Sequence, residues 1–129
     1  MSITKTYNKQ LDVALVEFGH LVIDGEIIVT PGGIPQKLRL RLIDSSIIDI
    51  YLSPRGRYSY HWERRFIDGT IYRHDNAPHN RWQHIQTYPK HFHKGSERGD
   101  DVIKSELPEE PIEAVREFLQ FVDKKIKSL

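Results

Sequence analysis

The sequence has no cysteine and a single methionine. The first absence removes disulfide frameworks, thiolate zinc sites and cysteine nucleophiles together, and leaves the redox compartment open. An excess of charge of one sign is missing too. Nineteen Lys and Arg stand against 18 Asp and Glu, a formal net charge of +1. No overall field therefore draws the protein onto nucleic acid or anionic lipid, and any such binding must come from local patches. No apolar run approaches the ~20 residues of a membrane-spanning helix, and the opening MSITKTYNKQ lacks the apolar stretch of a secretory signal. No internal repeat is present, and only the charged residues 94–110 suggest a loose linker. The expectation is one domain over residues 1–129, cytoplasmic, with site chemistry left to histidine and carboxylate.

What is there reads first as sheet. In KLRLRLI, Leu38, Leu40 and Leu42 alternate with Arg39 and Arg41; in IIDIYLS, Ile48, Ile50 and Leu52 alternate with Asp49 and Tyr51. Period two marks strands with one buried face. A loop of Asp44, Ser45 and Ser46 would set Leu42 opposite Ile48, Leu40 opposite Ile50 and Arg41 opposite Asp49. Further on, Asp68-Gly69 predicts a two-residue type I′ hairpin turn. That turn puts Phe66 opposite Ile71, Arg64 opposite Arg73 and Trp62 opposite Asp75. Tyr58, Tyr60, Trp62 and Phe66 would then share the core face, with His61, Glu63 and His74 on the other. At the C-terminus Ile112, Val115, Phe118, Leu119, Val122 and Ile126 recur at helical spacing, with Glu109, Glu110 and Glu113 near the start and Lys124, Lys125 and Lys127 near the end, as the helix dipole favours. Leu11, Ala14, Leu15 and Phe18 fit a shorter helix ending at Gly19. A strand near residues 26–30 or a hairpin around Asp24-Gly25 would follow. The expected fold is α+β: an antiparallel sheet of four to five strands with the C-terminal helix, and an N-terminal one, packed on one face.

Five of the seven histidines fall within residues 72–93. Pro78 biases Ala77 away from helical dihedrals and Asn76 accepts a turn, so Asp75-Asn76-Ala77-Pro78 predicts a defined corner. Period two puts His91 and His93 on one side. The candidate cluster is therefore Asp75, His79, His91 and His93, with Arg73 on the same face as Asp75. Arg64 opposite Arg73 would be a repulsive pair unless Asp75 or a phosphate sat between them. Arg55, Arg57, Arg64, Arg65, Arg73, Arg81, Lys90 and Lys94 lie near this cluster and are interleaved with aromatics. Such a mixture can grip a phosphate backbone and stack bases. Alternation sends several of those aromatics to the core and leaves Trp82 and Tyr88 for stacking.

Three chemistries fit the cluster. Two histidines could act as base and acid on an RNA phosphodiester without any metal, with Arg73 or Lys90 stabilising the charge on phosphorus, because the imidazole pKa of ~6.5 lies close to the operating pH. His79, His91 and His93, with Asp75, could instead hold a divalent metal as an alternative cofactor. Or the histidines could be plain surface residues of a polar loop. His61, Glu63 and His74 could extend an active surface, or be a cross-strand pairing without function.

The run YSYHWERRFIDGTIYRHDNAPH, followed by TYPKHFH and an amphipathic C-terminal helix, resembles the TumE family of toxins from prokaryotic toxin–antitoxin systems. The resemblance covers roughly residues 36–127 and rests on Arg73, Asp75, Asn76, Ala77, Pro78 and His79 in one run, with Pro89, His91 and His93 downstream. His74 departs from the family pattern, where an aromatic is expected, and Lys90 stands where another histidine is frequent. The resemblance implies a small helix-turn-helix antitoxin as partner. Together with the residues it points to a ribonuclease, with His79, His91 and His93 as acid and base, Asp75 orienting an imidazole and Arg73 on phosphate. Lys90, Trp82, Tyr88, Arg64 and His74 would contact RNA; no membrane is involved, and a homodimer is left open. The rival is a non-catalytic module docking RNA or the antitoxin.

Overall fold

The computed structural model describes residues 2–129. Seven strands form one antiparallel sheet in chain order: β1 (Val22–Val29), β2 (Pro35–Leu42), β3 (Ile47–Leu52), β4 (Tyr58–Arg64), β5 (Thr70–Asp75), β6 (His91–Gly95) and β7 (Val102–Lys104). Helices α1 (Ile3–Glu17) and α3 (Pro111–Lys127) cover one face, and the one-turn helix α2 (Arg65–Asp68) joins β4 to β5. The α+β class and both terminal helices agree with the sequence pattern, but four to five strands is an undercount. The buried positions of β6 on its outer side are histidines, and β7 contributes one buried residue, Val102, from within the charged stretch at 94–110. Neither strand shows apolar alternation, so neither stands out by periodicity.

Two registers differ from expectation. Between β2 and β3, Leu40 faces Ile48, Leu38 faces Ile50 and Arg39 faces Asp49. The reversal is closed by Leu42 N–H donating to the Ser46 carbonyl at 3.0 Å and by Ser45 at φ 72°. The slip is two residues, so each side chain keeps its face and the leucines stay buried. Between β4 and β5 the slip is odd and has consequences. Residues 65–68 coil into α2 instead of continuing the strand, and Gly69 at φ 81° ends that turn. Trp62 then faces Tyr72, Tyr60 faces His74, His61 faces Arg73 and Ser59 faces Asp75. His74 thus moves to the helix side and Arg73 joins His61 on the other. Phe66, expected in the core, is 64% exposed. Arg64 does not face Arg73: it is buried, ion-paired to Asp44 and Asp68, with its guanidinium 4.8 Å from the Trp62 ring.

The core lies between the helices and the inner face of the sheet. Helix α1 begins earlier than Leu11: Ser2 caps it by accepting from Lys5 N–H, and Tyr7, Gln10 and Ala14 form its buried side. Tyr7 and Gln10 are not read as core by apolar spacing, yet the Tyr7 hydroxyl accepts from Leu52 N–H at 2.8 Å and Gln10 Nε2 donates to the Tyr60 hydroxyl. The Tyr7 hydroxyl and the Gln10 amide nitrogen are therefore satisfied where they are buried, whereas Gln10 Oε1 has no partner among the described residues. Gly25 on β1 lets Leu11 of α1 pack against the strand, since a Cβ there would lie 2.6 Å from Leu11 Cδ1. Glu110 caps α3 by accepting from Glu113 N–H, with Pro111 at the first helical position. Its Phe118 packs on Tyr60 and its Phe121 on Trp62, Tyr72 and Phe92.

Candidate functional site

With helices on one face only, alternation sends the other side chains to an open polar face. One cross-strand row runs Glu26, Arg39, Asp49, His61, Arg73, His93; the next runs Tyr51, Ser59, Asp75, His91. Antiparallel pairing places Arg73 beside His93 and Asp75 beside His91, so residues nearly twenty apart in sequence meet because β5 and β6 are neighbours.

The corner after β5 forms as its residue types predict. Asp75 Oδ1 accepts from Ala77 N–H at 3.0 Å; Asn76 accepts from Tyr58 N–H at 2.9 Å and donates to the Gly56 carbonyl at 2.8 Å. The chain then crosses over the open face through a short 3-10 turn, Asn80–Trp82, and returns to β6 through a cis Tyr88-Pro89 bond. Trp82, Ile85 and Val102 make a second apolar cluster, with Tyr88 against it. Trp82 lies within 6 Å of both the His91 and His93 rings. This loop is the wall of a cleft of about 260 Å³ lined by Arg73, Asp75, His79, Arg81, His91 and His93, with Trp82 and Glu97.

Hydrogen bonding decides the protonation of the two strand histidines. His91 Nε2 lies 3.0 Å from Asp75 Oδ1 and its Nδ1 lies 2.9 Å from the Pro89 carbonyl. A carbonyl oxygen only accepts, so Nδ1 donates to Pro89, and Nε2 at ion-pairing distance from a carboxylate favours the imidazolium. Burial opposes that charge, but the Asp75 carboxylate and the Pro89 carbonyl outweigh it and push the His91 pKa up. Burial would likewise raise the Asp75 carboxyl, yet its contacts with His91, His93 and Ala77 N–H hold it far below the usual carboxylate range. Arg73 donates from Nε to Asp75 at 3.1 Å, from Nη1 to Glu97 at 2.7 Å and from Nη2 to His93 Nε2 at 3.2 Å. A guanidinium cannot accept, so His93 Nε2 carries the lone pair and Nδ1 the proton in neutral His93. That Nδ1 is buried without a partner among the described residues. His93 Nε2 is 3.7 Å from Asp75 Oδ2, beyond hydrogen bonding. His61 is pushed down, by burial first and by nearby Arg73, although Glu63 pulls the other way.

The structure brings together Arg73, Asp75, His91 and His93, with His79 on the exposed lip of the same cleft, where its Nδ1 receives a long 3.4 Å contact from Arg81 N–H. The remaining candidates scatter. Trp82 lines the cleft but is 6% exposed. Tyr88 is half-buried behind it, and Lys90 Nζ is turned to the Leu107 carbonyl at 2.8 Å. His74 lies on the opposite face, stacked on Phe92 at 4.0 Å, with Nδ1 2.7 Å from Ser105 Oγ. Arg64 is held by Asp44 and Asp68. Glu97 was not foreseen: it comes from the charged stretch, and only the return of that stretch along β6 brings it to Arg73. As metal donors, Asp75, His91 and His93 have ligand atoms within 4.8 Å of one another, and His79 is not among them. To bind an ion there, His91 would have to shed a proton that its partners hold, and Arg73 would have to leave His93 Nε2.

The family model described as Toxin TumE matches residues 12–126. The match reaches further toward the N-terminus than the motif-bearing residues 36–127 and takes in the end of α1 and all of β1. No curated protein and no solved structure matches the chain. Among the described residues, no helix is long and apolar enough to cross a membrane.

Proposed function

The chain belongs to the TumE family of toxins, and from that premise we propose that it is the toxin of a toxin–antitoxin module and cleaves RNA by histidine acid/base chemistry in the cleft beside Asp75. His79, exposed and with no hydrogen-bond partner at Nε2 among the described residues, takes the proton of a 2′-hydroxyl. The oxygen so released attacks phosphorus, and the bond from phosphorus to the 5′-oxygen breaks. His91 hands its Nε2 proton to that departing oxygen, leaving a cyclic phosphate and a 5′-hydroxyl. Asp75 keeps His91 charged until that step. Arg73 beneath the cleft and Arg81 on its wall, which has no carboxylate partner among the described residues, stabilise the charge on the phosphate. Each proton transfer of this kind contributes about 10²–10⁴-fold. The single observation that carries the reading is an imidazole 3.0 Å from a carboxylate on the floor of an open cleft.

His79 gives the clean test. It is exposed, so His79→Ala should leave the melting temperature within a degree or two while abolishing cleavage of labelled RNA and growth inhibition. His91→Ala should abolish both as well, but at a cost in stability, since the ring is 2% exposed. If the folded His79→Ala protein cuts RNA at the wild-type rate, the acid/base assignment is wrong. The same assay with EDTA separates the metal reading: cleavage lost on chelation would assign Asp75, His91 and His93 to a divalent ion. A second reading is favoured by how completely the network closes on itself, with Arg73, Asp75 and His91 all paired. In that reading the cluster is a latch for the loop at 76–90, and the protein docks RNA or its antitoxin without cutting; retention of RNA without products supports it. A helix-turn-helix antitoxin, a cytoplasmic location and self-association belong to the proposal and are checked by co-purification, fractionation and sedimentation.

A further inference from the structure

A second hollow of about 360 Å³ adjoins the cleft and shares Arg73, Asp75 and Ala77 with it; its other walls are Tyr51, Arg57, Tyr58, Ser59 and Asn76. It lies over the row Tyr51, Ser59, Asp75, His91. Ser59 is the smallest side chain in that row and leaves a gap between Tyr51 and Asp75. With neighbouring strands ~4.8 Å apart, Tyr51 stands roughly 10 Å from Asp75, about the reach of one nucleotide. Tyr51 is 46% exposed, unusual for a large aromatic in a strand flanked by two others. Arg55 and Arg57 rise beside it from the turn between β3 and β4; both are exposed, and neither is paired with a carboxylate among the described residues, whereas Arg39, Arg41, Arg64, Arg65, Arg73 and Arg116 all are.

That turn is built rather than loose. Ser53 accepts at Oγ from Arg57 N–H at 3.1 Å, and its N–H donates to the Arg57 carbonyl at 2.9 Å. Asn76 ties the turn to the site corner by its two bonds to Tyr58 and Gly56. One asparagine side chain therefore holds the guanidinium-bearing turn in register with Asp75 and His91.

Resting on the ribonuclease reading, we infer that Tyr51, Arg57 and Ser59 form a nucleotide subsite next to the scissile phosphate. An unpaired base of single-stranded RNA stacks on the Tyr51 ring, and Arg57, with Arg55 behind it, holds the following phosphate. An aromatic face combined with unpaired guanidiniums suits single-stranded nucleic acid of little sequence preference. Ser59 sets the depth of the hollow. The site accepts one flanking nucleotide and should not accept a duplex, whose bases are not free to stack.

The test uses the full-length toxin, a labelled single-stranded RNA for cleavage, and the same oligomer with 2′-O-methyl sugars for binding by fluorescence anisotropy. Tyr51→Ala, Arg57→Ala and the steric plug Ser59→Leu should each weaken binding of the 2′-O-methyl oligomer on the order of tenfold, raising KM with little change in kcat. Tyr51→Trp should restore binding, which a merely structural role for the ring would not require. If these variants bind and cleave like wild type while His79→Ala is inactive, the subsite is wrong and the catalytic reading survives. If the wild type binds the 2′-O-methyl oligomer but never cuts the unmodified RNA, and the three variants bind the oligomer weakly, the subsite stands and the catalytic reading falls. If the wild type neither binds nor cuts RNA, both fall. Loss of antitoxin binding in the three variants with RNA binding intact would overturn the subsite in favour of an acidic protein partner.

Discussion

The two faces of β5 and β6 treat histidine in opposite ways. On the helix side His74 is stacked on Phe92, flanked by Phe118 and bonded only to a hydroxyl. Burial comes first among the causes that push its pKa down to about 4, so it is neutral at pH 7. On the open side His91 is also buried, at 2% exposure, yet a carboxylate and a carbonyl favour its charged form. His74 and Asp75 are adjacent in sequence. Burial alone does not set the charge of an imidazole; the decisive difference is whether an acceptor stands at each ring nitrogen.

The largest effect expected from breaking this contrast is at Asp75. Asp75→Asn keeps the shape but leaves the buried imidazolium of His91 facing a neutral amide, and losing one partner of such a pair costs about 3–5 kcal/mol. Urea denaturation should show that loss, and growth inhibition should disappear. Next, exchanging character between the faces should be asymmetric. His74→Phe replaces a neutral ring among aromatics and should change stability by less than about 1.5 kcal/mol without affecting toxicity, whereas His91→Phe should fail on both counts. Comparable toxicity of the two variants would erase the distinction.

The pH dependence sharpens the same comparison. His74 has a folded pKa below its unfolded value, so its contribution is present above about pH 6.5 and is lost as pH falls toward 4, by up to about 3 kcal/mol. His91 is raised, so its contribution is full below about pH 6.5 and lost as pH rises through its folded pKa. Denaturation midpoints measured from pH 4 to 9 should therefore pass through a maximum. His74→Phe should flatten the acidic limb alone; an unchanged acidic limb would mean that His74 is not the group being titrated. The smallest effect belongs to the exposed end of the open face, where Arg41 pairs with Asp24 and Glu26. Arg41→Gln should leave toxicity and melting temperature within experimental scatter.

Much of this was legible in residue types. Leu38, Leu40, Leu42, Ile48 and Ile50 announce their strands by alternation, α3 announces itself by spacing, charge and cap, and Asp75-Asn76-Ala77-Pro78 announces a corner. The grouping of Asp75, His91 and His93 with Arg73 follows from period two plus that corner. What misled was local turn chemistry: Asp68-Gly69 reads as a two-residue hairpin turn, but the chain uses it to end the helical turn α2. One odd shift in register then moved His74 to the helix face and separated Arg64 from Arg73. The extended run holding His91 and His93 showed its period, but its place in the sheet as β6, and β7 altogether, did not, because pairing rather than apolar alternation makes them strands. Trp82 and Tyr88 were candidates for stacking bases, yet Trp82 walls the cleft with Tyr88 half-buried behind it, while Tyr51, on the polar side of β3, is the aromatic left exposed beside it.

Residue order alone, then, decided the class of fold, the terminal helices, the corner and the identity of the carboxylate and imidazoles that meet, because each follows from dihedral preference and periodicity within a short window. Only the folded sheet decided which histidine became a cation, which became neutral and which faced solvent. Those outcomes depend on acceptors contributed by neighbouring strands and by a loop folded back over them, at distances the chain itself does not specify.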